Sequence, residues 1–441
     1  MIELSEQFVG SKNELNDLLN KYHQTIFDDR EECSRFVKRL GENALCFRCS
    51  KKGEEFHMET SYFVGVDWMS EGTLPIYVYP KQNIDKNTEV DYLNMLNEAL
   101  QERENIDHLS DLVHIDFDKQ YIKISQQQDM LSIFLVTEYI QLIKRIVSKG
   151  LRKSYYNIEE NLNSRVKGKI LVNKNIVKNT FKGKITNVYC RYQEYGVDNN
   201  ENRILKHALS FVSRILSQYK GIDTRCLSDI IKVVKPAFIN VSDKIHHDEI
   251  INCKPSPIYK EYSIAIKIAQ LILKRYSYNI SKVENTEVHT PPFWIDMSKL
   301  FELYVYKKLR DVFEKDEIMY HLKARKQELD YLLNPKESAL PPFVIDAKYK
   351  PRYHIQVVET NDIRQICGYA RLKRVYKELG LDNTKNIDCL VIYSHQDCPK
   401  NISLTLDKST FLGVEQLKDY VGVYKLGISL PEIYNKRFHL E

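Results

Sequence analysis

Two short runs toward the C-terminal end carry residue types that hydrolytic chemistry needs: Glu328-Leu329-Asp330 and Asp346-Ala347-Lys348. Side chains alternate across a strand. In an extended segment from Phe343 to Lys350, Asp346, Lys348 and Lys350 therefore share one face, with Ile345, Ala347 and Tyr349 on the other. An Asp and a Lys two apart in an otherwise apolar strand are costly unless those charges are paired or bind something. If the preceding segment folds back as a hairpin, Asp330 comes beside Asp346. Two carboxylates converging on one point make a hard-oxygen site suited to Mg2+, which prefers carboxylates, waters and phosphate oxygens. A lysine beside such an ion can orient or deprotonate an attacking water and stabilise charge on a phosphate. That is the logic of metal-dependent phosphodiester hydrolysis. The competing reading is a structural Asp–Lys pair at a sheet end.

Three further residues surround this set. Gln365 and Tyr369 lie four apart on a predicted helix and so share a face. They either orient the lysine or the water, touch a nucleic-acid backbone, or form the polar edge of a core helix. Glu302 lies in Phe301-Glu302-Leu303-Tyr304-Val305-Tyr306, on the border of a mostly apolar helix. There it is either an outer metal ligand or a solvated edge charge.

The elements that must position these groups read as an alternation of types. Patterning predicts a helix over 298–313, strands over 328–333 and 343–349, a helix over 362–379 stopped by Gly380, and a buried strand over 389–393. Shorter strands are expected near 402–406 and 421–427. This order implies a mixed sheet with helices packed on it. Upstream, a polar helix-like start precedes β-like runs over 61–66 and 74–79 and a helix from about Val90. Helices are expected over 130–150, ended by Gly150, and over 203–219, 223–234 and 260–276. Thr290-Pro291-Pro292 is the clearest local break. Hence three regions: 1–130, 131–285 and 286–441. The fold class is α/β of the mixed α+β kind, with a β-containing front and a mainly helical middle ahead of the C-terminal domain.

Composition agrees with a globular chain. Of 441 residues, 43% are hydrophobic and 28% charged, with 15 Gly and 13 Pro, which excludes wholesale disorder and collagen-like repeats. No run approaches the ~18 apolar residues of a membrane helix. The first residues, MIELSEQFVGSKNE, are too polar for a signal peptide. Nine Cys, an odd number, fit reduced thiols in a cytoplasm rather than a disulfide framework. The net charge of +5 hides an asymmetry: −11 over 1–130 (14 basic, 25 acidic), +14 over 131–285 (27 and 13) and +2 over 286–441 (24 and 22). A basic middle beside an acidic front points either to a polyanion partner or to two surfaces that attract each other.

Other motifs carry less. Cys46-Phe47-Arg48-Cys49 has no second pair at zinc spacing and reads as two ordinary thiols. His246-His247-Asp248-Glu249 reads as surface. No G-x-x-x-x-G-K-[ST] occurs, so no P-loop nucleotide hydrolysis is expected from this chain, and there is no nucleophile elbow.

Taken together, Phe301-Glu302, Asp330, Asp346-Ala347-Lys348-Tyr349-Lys350 and Asp362-x-x-Gln365-x-x-x-Tyr369 resemble the McrC family. Ile76-Tyr77-Val78-Tyr79-Pro80-Lys81 with Met95-Leu96, Arg165-Val166-Lys167-Gly168-Lys169-Ile170, and Asn202-Arg203-Ile204-Leu205-Lys206 are similar to that family's upstream segments, in family order. The resemblance implies a PD-(D/E)xK restriction-endonuclease-like domain at the C-terminus and an N-terminal partner-docking domain. The implied activity is that of a type IV, modification-dependent restriction system used in phage defence. It also implies a separate McrB-like AAA+ GTPase hexamer that reads modified DNA, binds the GTP and is stimulated by this chain, while this chain cuts double-stranded DNA with Mg2+. Carried over by position, Asp330 and Asp346 hold the metal and Lys348 is the catalytic lysine. Leu329 departs from the family, which usually has Pro there, and the hairpin loop is longer than usual. Candidate phosphate contacts are Lys167, Lys169, Lys182, Lys184 and Lys350. The alternatives are a stand-alone nuclease of the same fold in DNA repair and a non-catalytic activator of an AAA+ partner.

Overall fold

The computed structural model describes residues 1–11, 16, 19–27, 32–39, 41–52, 55–80, 88–102, 104–109, 112–125, 131–216, 225–254, 258–281, 287–324, 327–336, 340–350, 353, 357–395 and 406–434. Lys81, Glu337-Ser338, residues 402–405 of one expected strand, and the expected helix ends at 217–219 and 223–224 lie outside the described residues.

The chain divides into two units, not three regions. One comprises Met1–Leu131, Gly221–Cys226 and Thr286–Glu441, and the other Ser132–Lys220 and Leu227–Asn285. Strand pairing joins the two ends of the chain, as Ile122–Ser125 with Glu287–Thr290 and Thr88–Val90 with Glu432–Tyr434, and above all through one inserted strand. Phe293–Asp296, buried at all four positions, pairs antiparallel with Phe63–Ser70 on one side and Val113–Ile115 on the other. It completes a five-stranded sheet whose remaining strands are Leu74–Tyr79 and, parallel to it, Ile2–Ser5. The chain thus opens on a strand where a polar helical start was expected: alternating Ile2 and Leu4 are buried while Glu3 faces out. Close approach of the inserted strand depends on Gly65, where a Cβ would lie 2.0 Å from the Phe293 carbonyl oxygen. Trp294 Nε1 donates to Asp67 Oδ2 at 3.1 Å. The buried Asp67 carboxylate is neutralised by Arg35 Nε at 2.8 Å and Lys119 Nζ at 2.9 Å. A second, four-stranded antiparallel sheet (Val9–Gly10, Glu55–Thr60, Glu42–Lys52, Glu32–Arg39) shares a core with the first through Phe47, Phe56, Phe63, Ile76 and Trp294.

Where that inserted strand ends, Asp296 turns the chain into the helix Met297–Val312. Its side chain accepts from the Lys299 amide at 2.9 Å, and Arg39 Nε sits 2.9 Å from its other oxygen. Nine residues of the helix, from Met297 to Leu309, are buried, because it is packed on more than one side. It lies against a six-stranded mixed sheet in the order Ile318–Ala324, Gln327–Leu333, Phe343–Lys348, Asp388–His395, Val423–Ser429, Glu415–Gln416. The first three strands are antiparallel, Asp388–His395 runs parallel to both of its neighbours, and the last strand is antiparallel. The expected helix over 362–379 is two helices, Thr360–Tyr369 and Lys373–Leu379. Ile363, Ile366, Val375 and Tyr376 from these helices bury Leu332, Val344 and Val391 of the sheet. Gly380, at φ +63°, ends the second helix as expected.

The other unit is mainly helical: Leu131–Lys149, Asn200–Leu216, Arg225–Val234 and Lys260–Ser281 are its main helices. It also holds an unexpected three-stranded sheet, with Ser154–Asn163 paired along its length to Asn187–Gly196 and the short Lys169–Ile170 beyond. Most of its residues are exposed or half-buried, so the sequence lacks the apolar alternation that announces a strand. Among the described residues, no helix is long and apolar enough to cross a membrane.

Candidate active site

Asp330 and Asp346 are brought together by the antiparallel pairing of Gln327–Leu333 with Phe343–Lys348, in which Tyr331 faces Ile345. One step further along this register the ladder yields to a side-chain contact: the Ala347 amide donates to Asp330 Oδ2 at 2.8 Å. The two carboxyls lie within hydrogen-bonding reach of each other, and Asp346 is 2% exposed. Burial pushes the Asp330 carboxyl well above the usual carboxylate range, and the charges of Glu302 and Asp346 add to the rise. Burial likewise raises Asp346, against the opposing pull of Lys348. Two buried acids this close repel when both are ionised, so a proton or a cation between them lowers the energy.

Lys348, two residues on and on the same face, places Nζ 2.8 Å from Asp346 Oδ2. The same amine donates to Gln365 Oε1 at 2.9 Å, and Gln365 Nε2 donates to the Tyr369 hydroxyl at 2.8 Å. Gln365 and Tyr369 thus occupy one face of Thr360–Tyr369, as their spacing predicts, and Gln365 orients the lysine. Burial by itself would depress the Lys348 amine. The Asp346 carboxylate more than offsets this and holds it above its usual value. Lys350 does not continue that face. The strand ends at Lys348, and Lys350 Nζ turns to Glu359 Oε2 and Asp362 Oδ2, both at 2.8 Å.

Glu302 is not a solvated edge charge. Its side chain is buried, with Oε1 2.7 Å from His321 Nε2, while His321 Nδ1 lies 2.7 Å from Glu328 Oε1. Burial would raise the Glu302 carboxyl, but the hydrogen bond and charge of His321 hold it below its ordinary value. Burial would lower His321, and the two glutamates raise it instead. His321 also has a left-handed backbone, φ +55°. The ladder between Ile318–Ala324 and Gln327–Leu333 pairs Tyr320 with Tyr331 and Leu322 with Leu329, and passes over His321 and Asp330 between them. A left-handed histidine costs about 1–2 kcal/mol and persists only where its surroundings impose it. The supports are plain: Tyr320 and Tyr331 stack on Tyr306 with near-parallel rings, and the Tyr331 hydroxyl donates to the Glu302 carbonyl at 2.6 Å. His321 is not among the expected site residues because no strand is expected between the helix over 298–313 and residue 328. The strand-favouring Ile318 and Tyr320 were the available signal.

The remaining candidates fall elsewhere. Cys46 and Cys49 are buried free thiols, the latter pushed up to about 12 by burial, in keeping with ordinary core cysteines. His246 and Asp248 are exposed at the start of the short helix His247–Ile251. Lys167, Lys169, Lys182 and Lys184 all belong to the other unit, on and around its sheet, and all are exposed. Lys167 Nζ is engaged by Glu194 at 2.7 Å and sits 3.9 Å from the Tyr192 ring centroid. Among the described residues, no group of three or more His, Cys, Asp or Glu side chains is clustered as metal ligands. Asp330 and Asp346 are a two-carboxylate set, which fits Mg2+: that ion keeps several waters and takes one or two carboxylates plus phosphate oxygens.

The fold and site define a mixed α/β protein with a buried acid pair and a lysine at one sheet end. Residues 59–381 match the family described as McrBC 5-methylcytosine restriction system component, and the chain belongs to that family. Among solved structures, it is similar to a chain of the refined half-complex from a tetradecameric assembly of Thermococcus gammatolerans McrB AAA+ hexamers with bound McrC. That match has 13% identity, 97% of this chain and 94% of that chain covered, and a TM-score of 0.38. A second similar chain comes from the cryo-EM structure of the Thermococcus gammatolerans McrBC complex, at 14% identity, 74% and 89% coverage and a TM-score of 0.27. No curated protein matches.

Proposed function

We propose that this chain is the DNA-cleaving, McrC-type subunit of a GTP-dependent, modification-dependent restriction complex, and that residues 286–441 form a PD-(D/E)xK nuclease domain. The observation that carries this reading is the convergence of Asp330, Asp346 and Lys348, with Lys348 Nζ 2.8 Å from Asp346, in a chain of a 5-methylcytosine restriction family. Asp330 and Asp346 are the residues that would hold Mg2+. Bound there, the ion would polarise a phosphodiester and lower the pKa of a coordinated water.

The chain's own residues do the rest. The Ala347 amide and the pairing of Tyr331 with Ile345 fix the two carboxylates relative to each other. Lys348 keeps its proton beside Asp346, so its role is to donate to a phosphate oxygen and stabilise charge developing there. Gln365, itself held by Tyr369, limits where that amine can point. Glu302, kept ionised by His321, adds negative potential that favours a cation at the acid pair.

The sequence carries no P-loop, so GTP binding and hydrolysis belong to an McrB-like AAA+ hexamer that this chain docks on and stimulates. The exposed Lys167, Lys169, Lys182 and Lys184 are proposed to contact DNA phosphates. The test is cleavage of 5-methylcytosine-containing plasmid by the chain with its AAA+ partner, GTP and Mg2+. Cutting by wild type and none by Asp346→Ala is the expected result, and equal cutting by both would refute the assignment.

A further inference from the structure

The residue that follows the lysine is tied to the start of the chain. The Tyr349 hydroxyl donates to Glu6 Oε1 at 2.8 Å, and Gln7 Nε2 donates to the Tyr349 carbonyl at 3.1 Å. Both the ring and the acid are buried: Glu6 is 1% exposed and Tyr349 3%. These contacts span more than 340 residues of sequence and join two different sheets of one unit. A hydrogen bond to a buried carboxylate is strong, and leaving it unmade is expensive.

The N-terminal side of this contact is rigidly held. The Glu6 amide donates to the Tyr79 carbonyl at 2.9 Å and the Gln7 amide to the Ser61 carbonyl at 2.8 Å. Gln7 adopts a left-handed backbone, φ +53°, although it is not glycine, and that conformation aims the side chains of Glu6 and Gln7 at Tyr349. On the C-terminal side, Tyr349 is where the strand stops. The Lys350 amide folds back onto the Lys348 carbonyl at 2.8 Å, and the Phe301 ring packs against Tyr349 with centroids 5.8 Å apart. Tyr349 is therefore the pivot of the turn that sets where Lys348 points. A hydroxyl, a carbonyl and a ring face of this residue are all spoken for, and two of the three contacts come from residues 6 and 7.

We infer that Glu6, with Gln7, is a positioning residue of the cleavage site, acting through Tyr349 to fix Lys348 against Asp346. The N-terminal sheet grips the site at two points: through Glu6 and Tyr349, and through Asp296, which starts the helix that carries Glu302. Residues of the turn that follows the first strand of the chain thereby control the geometry of a lysine on a sheet they do not belong to.

This inference rests on the nuclease reading, and the experiment separates the two. The full chain, with its AAA+ partner, GTP and Mg2+, is assayed on 5-methylcytosine-containing plasmid as wild type, Tyr349→Phe, Glu6→Ala and Glu6→Gln. Misplacement of a reacting group by about 1 Å can lower a rate on the order of a hundredfold. Tyr349→Phe and Glu6→Ala are expected to lose kcat on that scale with KM for DNA and stimulation of partner GTP hydrolysis unchanged. Glu6→Gln, whose amide oxygen still accepts from the tyrosine, is expected to recover most of the rate. Wild-type rates in Tyr349→Phe and Glu6→Ala would overturn the inference while leaving the nuclease reading intact. Joint loss of cutting, GTPase stimulation and melting temperature would overturn it too, because the contact would then only hold the fold. A wild-type chain that does not cut would overturn the nuclease reading itself.

Discussion

The Ala347 amide donates to Asp330 Oδ2, so the first acid is held by the backbone of the same strand that carries the second. This geometry sets both acids in a buried place that raises both pKa values, and the Asp346 charge adds to the rise at Asp330. A carboxyl whose folded pKa exceeds its unfolded value binds its proton more tightly in the folded chain. Its contribution to stability is therefore greatest in acid and declines as pH rises from the ordinary carboxylate value, about 4, through the folded value. In EDTA, melting temperature should show this decline, and Asp330→Asn should flatten it. Mn2+ at a hundred times its Kd should stabilise wild type by about 2.7 kcal/mol, read as a raised melting temperature, and leave Asp346→Asn unmoved.

Removing the amine separates chemistry from metal binding. Lys348→Met should abolish plasmid cutting. Calorimetry should show Mn2+ binding retained and tightened, because a positive charge 2.8 Å from Asp346 no longer opposes the ion. Asp346 then lies buried without its cation, which costs about 1–3 kcal/mol in a denaturation midpoint taken without metal. Weaker Mn2+ binding in this variant would mean that the lysine organises the acids instead.

His321 makes a pH-dependent contribution of opposite origin. Its folded pKa is raised by Glu302 and Glu328 over the penalty of burial. The stability it adds is fully present below the unfolded imidazole value, about 6.5, and is lost as pH rises through the folded value. His321→Gln should lose stability mainly below that range, so its curve should converge on wild type as pH rises. Denaturant melts at a series of pH values check this, and parallel curves would contradict it.

Gly65 tests the inserted strand. A methyl group there would meet the Phe293 carbonyl oxygen at 2.0 Å, a backbone atom that cannot swing aside as a flexible side chain would. Gly65→Ala should destabilise the chain by about 1–3 kcal/mol, read as a lowered urea midpoint.

What could be read from the residues was local. Alternation put Asp346 and Lys348 on one face of an apolar strand, and hairpin logic put Asp330 beside them, as the structure finds. Spacing of four put Gln365 and Tyr369 on one helix face. The strand over 318–324 was not predicted, because Met319, Tyr320, His321 and Leu322 are all half-buried and show no inward–outward period, and with it went the Glu302–His321–Glu328 bridge. The contacts of Glu6 with Tyr349 and of Phe293–Asp296 with Phe63–Ser70 join segments hundreds of residues apart, and no period in the sequence encodes such partners. Charge separated regions by composition, whereas strand pairing merged the outer two.

The position of Phe293–Asp296 also governs the order in which the molecule can be made. Its neighbours, Phe63–Ser70 and Val113–Ile115, leave the ribosome long before it does, and each must wait with an edge uncovered. At about 5–20 residues per second, synthesis of the intervening stretch takes on the order of ten seconds or more. During that interval the helical unit encoded between them can finish folding while the five-stranded sheet remains incomplete and open to chaperones, and to mispairing with other nascent chains.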